Sequence, residues 1–235
     1  MTKVYVAEIL SDSSLYEKEI ERMSSQLSEQ FLDRFKYSEN IKKKYESCSA
    51  YYLLSKVLMR DFPKLYESFG KYKIKIDLNG KPHFEPCKVH FSVSHTYGAV
   101  AVAVSEEGEI GVDIEKIKDE KSAVMKLLMY RFTGDMYGEM CEKYALFDRE
   151  SFFEYSIEDI TENARKAEKS TVPDEINECD KYYIAWCALE SILKCSGLGF
   201  AGINQLGDLT EKTEVKGTVA ELNDGKYAVS FARYV

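Results

Sequence analysis

The sequence predicts an α+β protein made of two similar lobes in series, each with a small antiparallel sheet packed against helices. Four patterns along the sequence lead to this prediction. Residues 3–9 have the pattern of a first strand, and residues 15–36 and 39–69 repeat apolar positions at helical spacing. Alternation then returns from residue 73, and after residue 115 helical periodicity is again followed by strands. No sequence repeat is visible that would prove a duplication.

The first half starts with a strand and continues with helices before a series of strands. Asn79-Gly80 interrupts the alternation that starts at Lys73 and is a strong signal for a hairpin turn. Glu107-Gly108 marks a second turn. The predicted elements are a strand at 3–9, helices at 15–36 and 39–69, and a meander of strands at 73–78, 89–93, 99–104 and 109–114.

The second half is predicted to be helical from residue 115 to about residue 169, with weak breaks at Gly134 and Gly138 and a loop at 171–174. A further helix at 181–196 ends at Gly197, which suits a helix C-cap. Two closing strands at 213–222 and 226–235 flank Asn223-Asp224-Gly225, a second hairpin signal. We therefore divide the chain into lobes at 1–112 and 113–235.

Charge limits the classes of ligand. The chain of 235 residues has a net charge of -8 and a pI near 5.2, which argues against general nucleic-acid binding because that requires a basic surface. The charge is uneven: residues 31–90 sum to +6, whereas residues 141–180 contain twelve acids against five bases. The basic early region suits an anionic ligand.

The cysteines and the amino-terminal residues predict a cytoplasmic protein that does not enter a membrane. The six cysteines form no C-x-x-C pair and have no histidine at zinc-finger spacing, so they are typical of reduced thiols. The apolar stretch near residues 4–7 is too short for a signal sequence, and no window is long enough to span a membrane.

Two segments about seventy-five residues apart carry the side chains of a candidate site. In Gly111-Val112-Asp113-Ile114-Glu115 the two carboxylates are two residues apart, so on a strand they share a face. In the segment 186–194, Trp186, Glu190 and Lys194 recur every four residues, so on a helix they form one stripe. Taken alone, the first segment is typical of a half-solvated strand and the second of an ordinary amphipathic helix.

Two further motifs precede these segments. Gly80-Lys81-Pro82 is a rigid turn that presents an ammonium suited to a phosphate. Ser94 and His95, at the end of the predicted strand 91–95, offer a hydroxyl and an imidazole. A single histidine at a strand end is more often packed or solvated than a ligand, but here it lies in a series of four motifs.

In this order the four motifs resemble the 4'-phosphopantetheinyl transferases of the larger, Sfp-like type. That family has a Gly-Lys-Pro turn, a Phe-x-x-Ser-His strand end, Gly-(Val/Ile)-Asp-x-Glu, and a helix reading Trp-x-x-x-Glu-(Ser/Ala)-x-x-Lys followed by Gly-x-Gly. The resemblance covers residues 79 to 200. The matching residues are Gly80-Lys81-Pro82, Phe91-Ser92-Val93-Ser94-His95, 111–115, 186–194 and Gly197-Leu198-Gly199.

The resemblance implies an enzyme that moves phosphopantetheine from coenzyme A to a serine hydroxyl of an apo acyl or peptidyl carrier protein. It implies that Asp113, Glu115 and Glu190 bind one Mg2+ together with the pyrophosphate of coenzyme A. Glu190 would also be the catalytic base, and Lys194 would bind the phosphates and assist the leaving group. No internal nucleophile is required, because such a transfer depends on positioning and charge neutralisation.

The resemblance also implies where the substrates lie. Lys81, Ser94 and His95 would hold the 3'-phosphate and the adenosine of coenzyme A. The lobe 1–112 would form the nucleotide side, and the lobe 113–235 would supply the metal and phosphate helix and the carrier dock. The site would lie between the lobes of a monomer.

The chain departs from the family pattern at two positions. Leu189 precedes the helix glutamate, where family members often have a lysine. Tyr51 occupies the place of an early-helix arginine that reaches the nucleotide phosphate. Nearby lysines offer replacements for that arginine, although a lysine cluster is usually a solvated helix face: Lys36, Lys42, Lys43, Lys44 and Lys56.

The resemblance puts the carrier dock in the acidic region 141–180, where Phe147, Phe152, Phe153 and Tyr155 either form an exposed apolar surface or belong to helix core. A non-catalytic relative that binds coenzyme A or a carrier is the main alternative, although the residues of the metal site are all present. An unrelated interaction module with acidic helices is the second.

Overall fold

The structure is a computed structural model that describes residues 2–67, 73–86, 89–118, 121–134, 138, 140, 152–156, 168–169 and 176–235. Over these residues the chain is an α+β protein with small sheets packed against helices. The strands are β1 Thr2–Glu8, β2 Lys73–Ile76, β3 Pro82–Glu85, β4 His90–Thr96, β5 Ala99–Ser105, β6 Ile110–Lys116, β7 Phe152–Ser156, β8 Glu168–Lys169, β9 Thr213–Leu222 and β10 Gly225–Tyr234. The helices are α1 Tyr16–Ser24, α2 Glu29–Leu32, α3 Ile41–Asp61, α4 Pro63–Glu67, α5 Ser122–Thr133, α6 Glu178–Ser196 and α7 Leu206–Lys212, with short 3-10 segments at Ser13–Leu15 and Gly199–Gln205.

The strands form two larger sheets and a hairpin. The first sheet has the order β4-β5-β1-β7-β8, and all of its pairs are antiparallel except β1 with β7. The second sheet has the order β6-β10-β9 and is antiparallel throughout. Strands β2 and β3 pair only with each other among the described residues.

The two sheets pack against each other, and each is covered by helices on its other face. Alternation along β1 and β5 directs one set of side chains towards helices α1 and α3 and the other set towards the second sheet. The layer between the sheets is apolar, and its small alanines on β5 allow close packing. Its buried members include Val4, Val6, Ala101, Val112, Ile114, Val229 and Phe231. Helix α6 covers the outer face of the second sheet through residues such as Ile184, Ala188 and Leu189.

Local sequence signals set the ends of the main helices. At the start of α3 the Asn40 side chain accepts from Lys43 N, and at the start of α6 the Asn177 and Asp180 side chains form a capping box. Helix α6 ends at Gly197, whose φ of 70° is left-handed, as the sequence predicts. The hairpin signal at residues 223–225 is likewise confirmed by the β9–β10 pair.

Two features differ from the prediction. The chain was predicted to be helical from residue 115 to about residue 169. Among the residues of this range that the structure describes, α5 is a helix as predicted, but β7 and β8 are strands. Aromatic residues favour extended backbone, and the open edge of β1 supplies the hydrogen-bonding partners for β7. Strand β6 was predicted to end a meander, but it leaves β5 and pairs with β10.

The predicted division of the chain falls within a strand. Strand β6 belongs to the second sheet along its whole length, Ile110–Lys116. It therefore lies in the same sheet that helix α6 covers. The division at residue 112 stays a prediction. In the part of the chain that the structure describes, no single helix is long and apolar enough to cross a membrane. Glu178–Ser196 and Gly199–Lys212 have the required length and apolar composition when taken together, but the two segments are bent by 103° relative to each other.

Candidate functional site

Strands β4 and β6 place hydroxyl groups beside carboxylates. Ser92, Ser94 and Thr96 share one face of β4 because they are two residues apart. The buried Ser92 Oγ accepts from Val112 N at 3.0 Å, Ser94 Oγ donates to Asp113 Oδ1 at 2.8 Å, and Thr96 Oγ1 donates to Glu115 Oε2 at 3.3 Å. These three bonds hold β4 and β6 in a fixed register although the strands belong to different sheets.

Helix α6 brings the remaining predicted side chains to the same place. Glu190 and Lys194 are one turn apart on the helix, and both face the strand that carries Asp113. The helix comes very close to β6 at Gly111, where a Cβ would lie 2.0 Å from Ser191 O. Only a glycine at this position allows that approach.

Lys194 joins the strand to the helix. Its Nζ lies 2.5 Å from Asp113 Oδ1, 3.0 Å from Ser94 Oγ and 3.9 Å from Glu190 Oε2. The Asp113 side chain is almost completely buried, at 3% exposure, whereas that of Lys194 is 32% exposed. The ammonium therefore neutralises a buried carboxylate and remains open to the solvent on one side.

The crowding of carboxylates shifts their protonation. Burial, followed by the charge of Asp113, raises the pKa of Glu115 to about 7 and that of Glu190 to about 7. Burial lowers the pKa of Lys194, but Asp113 and Glu190 outweigh it and raise that pKa above its ordinary value. Two carboxyl groups thus titrate near neutral pH beside a lysine that stays charged.

The donor set is suited to a hard cation. Asp113 Oδ2 is buried and has no hydrogen-bond partner, so it is an oxygen that a bound cation would satisfy. Carboxylate oxygens of Asp113, Glu115 and Glu190 are ligands that Mg2+ accepts. Among the described residues, no three such ligands are already close enough together to hold a metal ion. In the structure the cation beside Asp113 is the Lys194 ammonium.

These residues line a cavity of about 370 Å³ between α3, β4, β6 and α6. Of the predicted site residues it takes in Ser94, His95, Asp113, Glu115, Glu190 and Lys194. The other lining residues are Arg34, Ser47, Ala50, Tyr51, Pro82 and Val93.

Arg34 is a lining residue that the sequence analysis missed. Its Nε donates to Tyr51 Oη at 3.1 Å, and its guanidinium lies 6.0 Å from the centre of the Tyr51 ring. Tyr51, where the resemblance leads one to expect an arginine, therefore holds an arginine from another segment. The excess of positive charge in residues 31–90 was the signal that pointed to this region.

His95 and Lys81 have protein partners. His95 Nε2 lies 3.3 Å from Ser47 Oγ, and Nδ1 lies 3.5 Å from Glu46 Oε2, on the cavity wall. Lys81 does not line the cavity: its Nζ pairs with Glu109 and donates to Cys195 O at 2.9 Å.

The remaining predicted features are Leu189, Trp186 and the acidic region 141–180. Leu189 is fully buried in an apolar cluster, so its side chain does not reach the cavity. Trp186 packs with Phe132 and Phe200 at ring distances of 6.0 and 6.4 Å. Of the acidic region 141–180, residue 147 lies outside the described residues, as do the side chains of 152, 153 and 155.

Comparisons with known proteins assign no family. No family model matches the sequence, and no curated protein matches it closely enough to count as a relative.

Proposed function

We propose that this protein is a Mg2+-dependent 4'-phosphopantetheinyl transferase of the Sfp-like type. It would transfer the phosphopantetheine of coenzyme A to a serine hydroxyl of an apo acyl or peptidyl carrier protein. The observation that carries the proposal is the meeting of Asp113, Glu190 and Lys194 on one cavity wall, with Lys194 Nζ 2.5 Å from Asp113 and 3.9 Å from Glu190. An ammonium among carboxylates suits a substrate that brings both phosphate and a divalent cation.

The three carboxylates would hold the metal ion. Asp113 contributes a buried oxygen without a hydrogen-bond partner, and Glu115 and Glu190 line the same cavity. When bound, Mg2+ neutralises charge on the pyrophosphate and on the leaving group. Since Lys194 pairs with Asp113 in the structure, its ammonium would turn from Asp113 towards the phosphates when the ion binds.

Glu190 is the candidate general base. In the metal-free protein, burial and the charge of Asp113 raise its pKa to about 7, so near neutral pH it is ionised in part and can accept a proton. Glu190 takes the proton of the carrier serine hydroxyl while the serine oxygen forms a bond to the β-phosphorus of coenzyme A. The bond from that phosphorus to the bridging oxygen breaks, and adenosine 3',5'-bisphosphate leaves.

Lys194 supplies a fixed positive charge for this step. Burial alone would lower its pKa, but Asp113 and Glu190 raise it, so the side chain stays protonated at neutral pH. The ammonium can then donate hydrogen bonds to the oxygen atoms that gain negative charge as the bond breaks. No covalent intermediate on the protein is required.

Other residues that line the cavity would bind the nucleotide. Arg34, His95 and Ser94 are among these residues, and a guanidinium is suited to a phosphate monoester. Tyr51 fixes the guanidinium in advance, which lowers the entropy cost of binding. We therefore assign the 3'-phosphate side of coenzyme A to Arg34 and His95.

The test is to incubate the purified protein with coenzyme A, Mg2+ and several apo carrier proteins and to record the masses of the intact carriers. We expect a phosphopantetheine increment that disappears without Mg2+ and in Glu190→Gln. Glu211→Gln is the matched control, because Glu211 is exposed on α7 and should retain the increment.

Two outcomes would change the proposal. Coenzyme A binding without an increment on any carrier would favour the non-catalytic relative. No Mg2+-dependent binding of coenzyme A at all would favour an unrelated interaction module and would refute the transferase.

A further inference from the structure

A second group of charged side chains lies at the carboxyl end of α6, outside the cavity. We call it the Lys81 cluster, and it consists of Lys81, Glu109, His90 and the carbonyl group of Cys195. Lys81 Nζ pairs with one oxygen of Glu109 and donates to Cys195 O at 2.9 Å. The other oxygen of Glu109 lies 2.9 Å from His90 Nδ1.

The turn before β3 presents Lys81 in a fixed position. Asp77 Oδ1 accepts from Asn79 N at 2.9 Å and from Lys81 N at 2.8 Å. Asp77 N in turn donates to Lys81 O at 3.0 Å. The turn Gly80-Lys81-Pro82 therefore holds the lysine side chain against the carboxyl end of α6.

The helix end gains from this contact for two reasons. Cys195 is the last residue but one of α6, and the carbonyl groups in the last turn of a helix have no partner within the helix. The carboxyl end also carries partial negative charge, which a lysine ammonium stabilises. Cys195 Sγ donates to Glu109 O at 3.3 Å, so the same helix residue also contacts the segment that leads into β6.

The burial and charge of Lys81 and Glu109 are typical of an ion pair that stabilises the fold. The Lys81 side chain is 13% exposed, less than that of Lys194. Burial raises the pKa of Glu109, but the hydrogen bond and charge of Lys81 outweigh it and hold that pKa below its ordinary value. Glu109 is therefore ionised at neutral pH, and Lys81 Nζ lies directly against its carboxylate.

We propose that Lys81 is a positioning residue that fixes the carboxyl end of α6 against β6 and so sets Glu190 and Lys194 against Asp113. This inference rests on the proposed function. It assigns Lys81 a role different from that of a ligand for the 3'-phosphate of coenzyme A. Gly111, where α6 touches β6, is the second fixed point of the same helix.

The two roles predict opposite kinetics with 3'-dephospho-coenzyme A, which lacks the phosphate in question. For a positioning residue, Lys81→Met lowers kcat by about tenfold to a hundredfold with both substrates, because misplacing the catalytic groups slows the chemical step. Glu109→Gln has a similar effect, and the double variant is little worse than either single one. For a phosphate ligand, Lys81→Met raises KM for coenzyme A alone, and Glu109→Gln does not reproduce the change.

A second measurement needs no activity, so it separates failure of this inference from failure of the proposed function. Amide hydrogen exchange, read by mass spectrometry, should become faster in Lys81→Met for a peptide covering residues 189–199 and stay unchanged for α3. Lys18→Met is the matched control because Lys18 is an exposed lysine on α1. Unchanged exchange in 189–199 together with a KM effect limited to coenzyme A would overturn the inference.

Discussion

Replacing Gly111 with alanine tests directly whether α6 must touch β6 for the site to form. A Cβ at residue 111 would lie 2.0 Å from Ser191 O and 2.5 Å from Cys195 N. Both are backbone atoms in the middle and last turns of α6, so neither can rotate away as a side chain does. Real contacts to a Cβ essentially never fall below 3.0 Å, so the helix has to move away from the strand by about 1 Å.

The size of the effect follows from this geometry. Overpacking that shifts backbone costs about 3 kcal/mol or more, which lowers Tm by roughly 6–12 °C in a protein of this length. The same shift separates Lys194 Nζ from Asp113 Oδ1, now 2.5 Å apart. A misplacement of this size should lower the proposed transfer activity by about a hundredfold.

The assay is thermal unfolding followed by carrier phosphopantetheinylation, with Gly207→Ala as the matched control. Gly207 lies in α7 and has no atom within 4 Å of an added Cβ. Its replacement should leave activity unchanged and raise Tm slightly, since alanine favours a helix by about 1 kcal/mol over glycine. A Gly111→Ala protein with Tm and activity close to those of the wild type would refute the proposed packing of α6.

Three further predictions concern the site and its support. Asp113→Asn should reduce Mg2+-dependent transfer by about a hundredfold or more, measured with saturating coenzyme A, because it removes the buried charge that pairs with Lys194. Glu115→Gln should raise the Tm of the metal-free protein at pH 8 and raise it much less at pH 5. The reason is that the folded-state pKa of Glu115 is raised to about 7, so its charge destabilises the fold above that pH, and this cost disappears as the pH falls towards the ordinary pKa of a glutamate. Arg34→Gln should raise KM for coenzyme A by about tenfold with little change in kcat, since Arg34 lines the cavity and we assign its guanidinium to the 3'-phosphate, not to the reacting atoms.

Each of these has an outcome that contradicts it. Full activity of Asp113→Asn at ordinary Mg2+ concentrations would remove Asp113 from the metal site. An equal Tm gain of Glu115→Gln at both pH values would show that its carboxyl does not titrate with a raised pKa. A fall in kcat without a change in KM for Arg34→Gln would place Arg34 at the reacting centre.

Local signals in the sequence predicted the elements that carry the site. The two-residue spacing of Asp113 and Glu115 and the four-residue spacing of Glu190 and Lys194 each require only the geometry of one strand or one helix. Gly197 ends α6 because a left-handed residue suits glycine, which is again a local property. For the same reason the turn at residues 223–225 was predicted correctly.

Pairing between distant segments was not predictable. Alternation shows that β6 is a strand, but it does not show that its partner is β10 and not β5. Likewise, nothing in the helical periodicity before residue 169 indicates that β7 adds to the edge of β1. The partners of Lys81 and the approach of Arg34 to the cavity depend on the same long-range packing, so the sequence showed the charges but not what they face.

The pairing of β6 with β10 also determines when the site can arise during synthesis. More than a hundred residues separate the end of β6 from the start of β10. A ribosome therefore releases Asp113 and Glu115 long before the strand that lies beside them exists, and α6 is made in between. Contacts of such long range form slowly, so the first sheet can fold while the chain still grows, but the carboxylates reach their final places only in one of the last steps of folding.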